Sequence, residues 1–223
     1  MAKAPRPGHV KTRLASVLPP ALVVQLYRAL IEDTIALGRA VGASIAIVCP
    51  PDDADDISAW LPSDLRVVPQ RGNGLADGLA SAFDILCEPP RRVIAFNGDS
   101  PHLAPSVLES AFSALADHDV VLGPCEDGGY FLIGATQTHA GLFDPRAMGT
   151  TSALDAISSQ TRRLGLSSFV TEVHYDVDVP ANLARLAQEL AIWPERAPKT
   201  AVLLEDARQA TERYHWDRLD VAE

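Results

Sequence analysis

Cysteine is scarce in this chain. Cys49, Cys87 and Cys125 are an odd number, widely spaced and without C-x-x-C spacing, which excludes a disulfide framework and a zinc knuckle. Basic residues are in the minority, 19 Lys+Arg against 29 Asp+Glu. The resulting net charge of −10 speaks against nucleic acid or an anionic membrane as a general partner, and a small ligand suits it better. No apolar run approaches the roughly 18–20 residues of a membrane span. The N-terminus also lacks the continuous apolar segment of a signal peptide, so the expected setting is cytoplasmic. Internal repeats and low-complexity segments are missing too.

What is present is enough for a full core. At 223 residues and 47% hydrophobic, the chain fits one α/β domain better than two small ones. Residues 1–198 are expected to form it, with a last helix and tail over 199–223 as part of the same domain or as an oligomer contact, in which case a homodimer.

The most informative stretch is Arg92 to Leu103, RVIAFNGDSPHL. Val93 to Phe96 is apolar without polar alternation, the pattern of a strand covered on both faces of a parallel sheet. Asn97-Gly98 then turns the chain, and Asp99 arrives where a strand's carboxyl end opens into a crevice, the usual ligand position in open α/β sheets. A carboxylate there is a candidate metal ligand.

The first 13 residues, MAKAPRPGHVKTR, form a Pro- and Gly-containing loop carrying Lys3, Arg6, Lys11 and Arg13, and no acidic residue precedes Glu32. Such a cluster in an acidic protein suits an anion, of which phosphate is the commonest. On composition alone, a solvated basic tail fits as well.

Further along, Leu22, Leu26, Leu30, Leu37 and Val41 predict an amphipathic helix from Pro20 to Val41 with Gly42 as its stop. Strands are expected over 43–49 and 65–69, separated by an acidic loop with a short helix. Gln70-Arg71-Gly72-Asn73-Gly74 leads into a helix over 75–86, whose first amides could meet a nucleotide. The glycines by themselves fit an ordinary strand-to-helix turn better.

A helix over 105–116 and a strand over 120–122 follow, then Gly123 to Gly129, GPCEDGG, returning as a strand over 130–134. Glu126 and Asp127, held between a proline and two glycines that permit close backbone approach, point to a ligand. Thr150 and Thr151 are expected to cap a helix ending near Leu164, with Gly165 as its stop. A strand over 168–173, a helix from Pro180 to Ile192 and another over 199–214 complete the pattern. Alternating strands and helices predict a mostly parallel central sheet with helices on both faces, and the hairpin around Glu126 adds one antiparallel strand.

Four segments carry a resemblance: AKAPRPGHVKTRL near the start, GDSPHL at Gly98–Leu103, GPCEDGGYFLIG at Gly123–Gly134, and YDVDVPANL at Tyr175–Leu183. In this order they resemble the signatures of a bacterial GT-A-fold family, once a domain of unknown function and known as arsenosugar-biosynthesis-type glycosyltransferases. That family is part of the nucleotide-diphospho-sugar transferase superfamily, with the molybdenum-cofactor and 2-phospholactate guanylyltransferases.

The resemblance implies a Rossmann-like GT-A fold and a nucleotide site. Lys11 and Arg13 would contact phosphates, with Lys3 and Gly8 in the same loop. Gln70, Gly72 and Gly74 resemble the stretch that lies against the base, and Asn97 is placed beside the nucleotide. Asp99 and Asp178, rather than Asp176, would hold Mg²⁺ or Mn²⁺, and Glu126 and Asp127 would face the acceptor. Relatives carry an apolar strand directly before the phosphate loop, so the resemblance also implies a strand ahead of Met1. Asp99-Ser100-Pro101 departs from the D-x-D of many glycosyltransferases.

Carboxylates and lysines of this kind suit phosphate chemistry. Transfer from a nucleotide develops charge on phosphate oxygens, which a divalent cation and nearby Lys or Arg offset. The expected partners are a nucleotide sugar or nucleoside triphosphate and a small-molecule acceptor. The expected activity is glycosyl transfer from a nucleotide sugar, with nucleotidyl transfer as the alternative and a non-catalytic nucleotide-binding module as the third reading. Cys125 is unsuited to nucleophilic work beside two carboxylates, which raise a thiol pKa. His9 and His102 are expected in exposed loops, and Asp176 is expected to orient the turn before Asp178.

Overall fold

The structure, a computed structural model, describes residues 1–88 and 91–209 and divides into two compact units. The first comprises Met1–Ala2, Ala46–Asn97 and Ser106–Tyr175. The second comprises Lys3–Ile45, Gly98–Pro105 and the chain from Asp176 onward. The expected last helix reaches Gln209 as far as described, and its remainder and the tail lie outside the described residues.

All strands among the described residues belong to the first unit. β1 (Ala46–Cys49) pairs in parallel with β2 (Arg66–Pro69), with Ala46 opposite Arg66. The second sheet contains β3 (Val93–Phe96), β5 (Tyr130–Ala135), β4 (Val120–Pro124) and β6 (Ser168–Val170), in that spatial order. β5 runs antiparallel to both β3 and β4, while β4 and β6 are parallel. The single antiparallel strand is therefore as expected, but the strands form two sheets rather than one.

Met1 and Ala2 run between those sheets. The Ala2 N–H donates to the Val48 carbonyl at 2.9 Å and the Met1 amino group to the Phe96 carbonyl at 3.2 Å. This arrangement makes β3 an edge strand in its sheet. Its four residues are half-buried, not enclosed as their apolar pattern predicts, because only β5 pairs with it within the sheet.

Helices cover both faces of the larger sheet. Val120, Leu122, Ile133 and Ala135 face a core shared with Ala76, Leu79 and Phe83 of α3 (Gly74–Leu86) and Ala153 and Ile157 of α5 (Ala153–Arg163). On the other face Gly134 leaves room for Leu115, just beyond α4 (Pro105–Ala114): a Cβ at Gly134 would lie 3.0 Å from the Leu115 Cδ1. The short helix α2 (Ala54–Trp60) occupies the acidic segment between β1 and β2. α5 begins at Ala153 with Ser152 at its N-cap position, not Thr150 or Thr151 as expected. Thr150 Oγ1 instead donates to the Ala147 carbonyl at 2.7 Å and fixes the preceding turn.

The second unit is helical. α1 (Pro20–Ala40) buries Leu22, Leu26, Leu30 and Leu37 along one face and ends at Gly42, whose φ of 72° is the left-handed conformation glycine adopts without strain. α6 (Pro180–Ile192) opens on Pro180, as expected, and buries Leu183, Leu186 and Leu190. α7 (Pro198–Gln209) packs on both α1 and α6. Its start is fastened by Asp33 of α1, a buried carboxylate that accepts the backbone N–H groups of Lys199 (3.2 Å) and Thr200 (2.8 Å) and the Thr200 hydroxyl (2.8 Å). The orphan amides at a helix start are satisfied here from another helix.

Candidate functional site

Three segments of the helical unit meet around one ammonium group. The loop ahead of α1 contributes Lys11, which adopts φ 45° and ψ 42° and is the only non-glycine residue with positive φ among those described. Its carbonyl accepts the Leu14 N–H at 2.9 Å, starting a 3₁₀ turn over Thr12–Ser16 in which Leu14 is fully buried. A left-handed lysine is strained, and strain of this sort is retained where surrounding contacts fix it.

The segment after β3 contributes Asp99. Gly98 ahead of it touches α1 so closely that a Cβ would lie 2.1 Å from the Ile31 Cδ1, so a larger residue would have to displace the Ile31 side chain. The segment before α6 contributes Asp178. The two segments are joined at the backbone, where the Val177 N–H donates to the Asp99 carbonyl at 2.9 Å. Asn182 closes the turn by donating from Nδ2 to the Asp176 carbonyl at 2.6 Å.

Lys11 Nζ lies 2.7 Å from Asp99 Oδ1 and 2.8 Å from Asp178 Oδ1. Arg13 reaches the other oxygen of Asp178, with Nη1 at 3.4 Å from Oδ2. The lysine side chain is only 4% exposed, against 26% for Asp99 and 39% for Asp178. Burial pushes the ammonium toward neutrality, but the charges of Asp99 and Asp178 outweigh it and hold Lys11 above its usual value. Burial likewise works against the Asp178 carboxylate, yet Lys11 and then Arg13 hold it below the usual carboxylate range. The site thus places two acidic side chains around the Lys11 Nζ, with the Arg13 guanidinium at the rim.

The donor set fits a divalent cation. Two carboxylates from separate segments converge on one positive charge, and hard oxygen donors are what Mg²⁺ and Mn²⁺ take, usually one or two from the protein with water and substrate phosphate supplying the rest. Lys3 and Gly8 lie in the same loop and are exposed; the Lys3 N–H donates to the Tyr27 hydroxyl at 2.8 Å, and Gly8 has open space where a Cβ would be. His102 is buried, not exposed as expected, because Ser100 to Leu103 tucks inward as a block.

The other expected residues belong to the first unit. Gln70 follows β2, its N–H bonded to the Cys49 carbonyl at 2.8 Å. Gly72 and Gly74 have φ of 73° and 78°. The turn closes on Asp77, whose Oδ2 accepts the Asn73 N–H at 2.9 Å; a Cβ on Gly72 would come within 2.5 Å of that oxygen. Asp77 was not singled out in the sequence, although an acidic residue in the first turn of a helix is a recognisable capping signal. Asn97 follows β3 and donates its N–H to the Phe131 carbonyl at 2.8 Å.

Glu126 and Asp127 occupy the β4–β5 turn and are exposed. Asp127 Oδ1 accepts the Gly129 N–H at 2.8 Å, so this carboxylate shapes the turn. Gly128, with φ 87°, has the Thr151 carbonyl oxygen where a Cβ would be, 2.1 Å away. Cys125 is buried beside them.

The family model described as an uncharacterized protein conserved in bacteria, DUF2064, matches residues 33–150, more than half of the chain. The chain belongs to this family. Asp99, Glu126 and Asp127 fall inside the family match, while Lys11, Arg13 and Asp178 lie outside it. The fold is also similar to a crystal structure from Desulfovibrio desulfuricans G20, provisionally assigned as a nucleotide-diphospho-sugar transferase: TM-score 0.85 and 26% identity, over 96% of this chain and 95% of that one. Both findings agree with the resemblance read from the four segments. No curated protein matches the sequence. No described helix is long and apolar enough to cross a membrane.

Proposed function

We propose that this DUF2064 member is a metal-dependent transferase that uses a nucleotide-activated donor, with a nucleotide sugar as donor and glycosyl transfer as the reaction. The observation that carries it is the convergence of Asp99 and Asp178 on one cation beside Arg13. The similarity to a protein provisionally assigned as a nucleotide-diphospho-sugar transferase supports the choice of donor.

In this reading Asp99 and Asp178 hold Mg²⁺ or Mn²⁺, which when bound supplies electrostatic stabilisation of a diphosphate leaving group. Lys11 and Arg13 hold the phosphate oxygens as their charge grows. An acceptor hydroxyl attacks the anomeric carbon, the sugar–phosphate C–O bond breaks, and Glu126 or Asp127 takes the hydroxyl proton. Gln70, Gly72 and Gly74 line the surface proposed for the base, with Asn97 as a further nucleotide contact.

A thermal-shift screen of nucleotide sugars and nucleoside triphosphates, with and without Mn²⁺, tests the donor assignment, since a ligand that prefers the native state raises apparent stability. The largest shift is expected from a nucleotide sugar with metal, and its loss in Asp178→Ala. A donor-induced shift that is unchanged by metal and by Asp178→Ala, with no turnover of any donor, would leave a non-catalytic nucleotide-binding module instead.

A further inference from the structure

The ammonium of Lys11 sits where the proposed reading needs a divalent ion. Lys11 takes one oxygen of Asp99 and one of Asp178, and Arg13 takes the second oxygen of Asp178. A cation bound by both carboxylates would have to approach oxygens that already carry a positive charge at hydrogen-bond distance. Like charges this close, with the lysine side chain only 4% exposed, repel strongly because little solvent screens them.

The lysine is built into that position. Its left-handed backbone is fixed by the 3₁₀ turn and by the burial of Leu14 three residues on, so the backbone has little freedom to withdraw. The side chain does have freedom: a flexible four-carbon stem carries a compact point charge with three donors. Arg13, by contrast, is 67% exposed and sits at the edge of the pair.

We infer that Lys11 is the resting occupant of the two-aspartate site and exchanges places with the divalent cation, moving from the carboxylates to the donor's phosphates as the metal enters. This rests on the proposed two-aspartate metal site and adds its control. Without nucleotide, the ammonium and Arg13 together offset the two negative charges of Asp99 and Asp178 and keep affinity for free cations low. With nucleotide, phosphate oxygens offer Lys11 an alternative partner, so metal and nucleotide favour each other's binding beyond direct phosphate–metal contact. One lysine thus serves two partners in turn, which discourages idle metal loading.

Mn²⁺ binding to the full chain, followed by electron paramagnetic resonance without nucleotide, tests the exchange. Lys11→Ala and Lys11→Gln are expected to bind Mn²⁺ at least about tenfold more tightly than the wild type, within the usual span of coupling between sites. A nucleoside diphosphate is expected to tighten Mn²⁺ binding by a larger factor in the wild type than in either variant. Equal, measurable Mn²⁺ affinity in all three chains overturns the exchange and leaves the aspartate site standing. Absence of Mn²⁺ binding in every chain, even with nucleoside diphosphate, overturns the metal site and the exchange together. Lysine acylation mapped by mass spectrometry gives a check that needs no variant: saturating Mg²⁺ alone should raise labelling of Lys11 severalfold, and unchanged labelling overturns the exchange.

Discussion

The Val177 N–H donates to the Asp99 carbonyl at 2.9 Å, and this single backbone bond sets Asp178 opposite Asp99 across nearly eighty residues of sequence. The main chain joins the two segments, so removing either side chain should leave their backbones in place. Asp99→Ala and Asp178→Ala are expected to abolish metal-dependent activity, by a hundredfold or more as an order of magnitude for losing an electrostatic group. Far-UV circular dichroism should stay close to that of the wild type, with a fall in thermal midpoint because buried Lys11 loses a partner. Full activity in Asp99→Ala would remove it as a metal ligand.

Asp33 satisfies two backbone amides and a hydroxyl at the start of α7 while buried, so its loss strands the two Thr200 donors away from water. Asp33→Ala is expected to destabilise the chain by about 2–3 kcal/mol. For a chain of this size that is a fall in thermal midpoint of about 4–12 °C, measurable by scanning calorimetry. Asp33→Asn keeps one acceptor oxygen and should fall between the two.

Gly128 has no room for a side chain, since the Thr151 carbonyl lies where its Cβ would be and its φ is 87°. Gly128→Ala should open the β4–β5 turn and displace Glu126 and Asp127. The expected readout is a loss of stability of more than about 1 kcal/mol together with a rise in acceptor KM. A Gly129→Ala change does not test the same contact, because its near neighbour is the Asp127 side chain, 2.9 Å away, which can rotate.

The Asp178–Lys11 pair sets a pH window. Asp178 is held below its ordinary value, so its contribution to stability is complete above the unfolded carboxylate value and is lost as pH falls through the folded one. Lys11 is held above its ordinary value, so its contribution is complete below the unfolded lysine value and is lost only as pH rises through the folded one. The stability difference between wild type and Asp178→Asn, from urea titration, should therefore be flat from about pH 5 to about pH 9 and shrink below about pH 4. A difference that changes steadily across the neutral range would contradict this assignment.

Cys49, Cys87 and Cys125 are all buried, and burial pushes the Cys87 thiol up to about 11. A thiol reagent at mildly alkaline pH should react slowly with the native chain and with all three cysteines in urea. Fast reaction of one cysteine in the native state would show that its segment opens.

Much of this was legible in the sequence. Pro20–Ala40, Pro180–Ile192 and Val93–Phe96 are found where periodicity and proline placement put them, because a strong apolar pattern and a pre-set φ are local signals. The convergence of Lys11, Asp99 and Asp178 was legible only through ordered motifs, since nothing local links positions so distant. What escaped was tertiary. β3 reads as enclosed, but strand apolarity does not say which neighbour pairs with it. Asp33 resembles any surface acid on a helix until α7 arrives over it, and His102 follows a proline that gives no hint of burial.

Product analysis with Mn²⁺ and a panel of nucleotide sugars and nucleoside triphosphates separates glycosyl from nucleotidyl transfer. Free nucleoside diphosphate is expected from a nucleotide sugar, abolished by chelation and by Asp99→Ala or Asp178→Ala. Pyrophosphate released from a triphosphate, with the same dependence on both aspartates, would contradict glycosyl transfer and make the chain a nucleotidyltransferase.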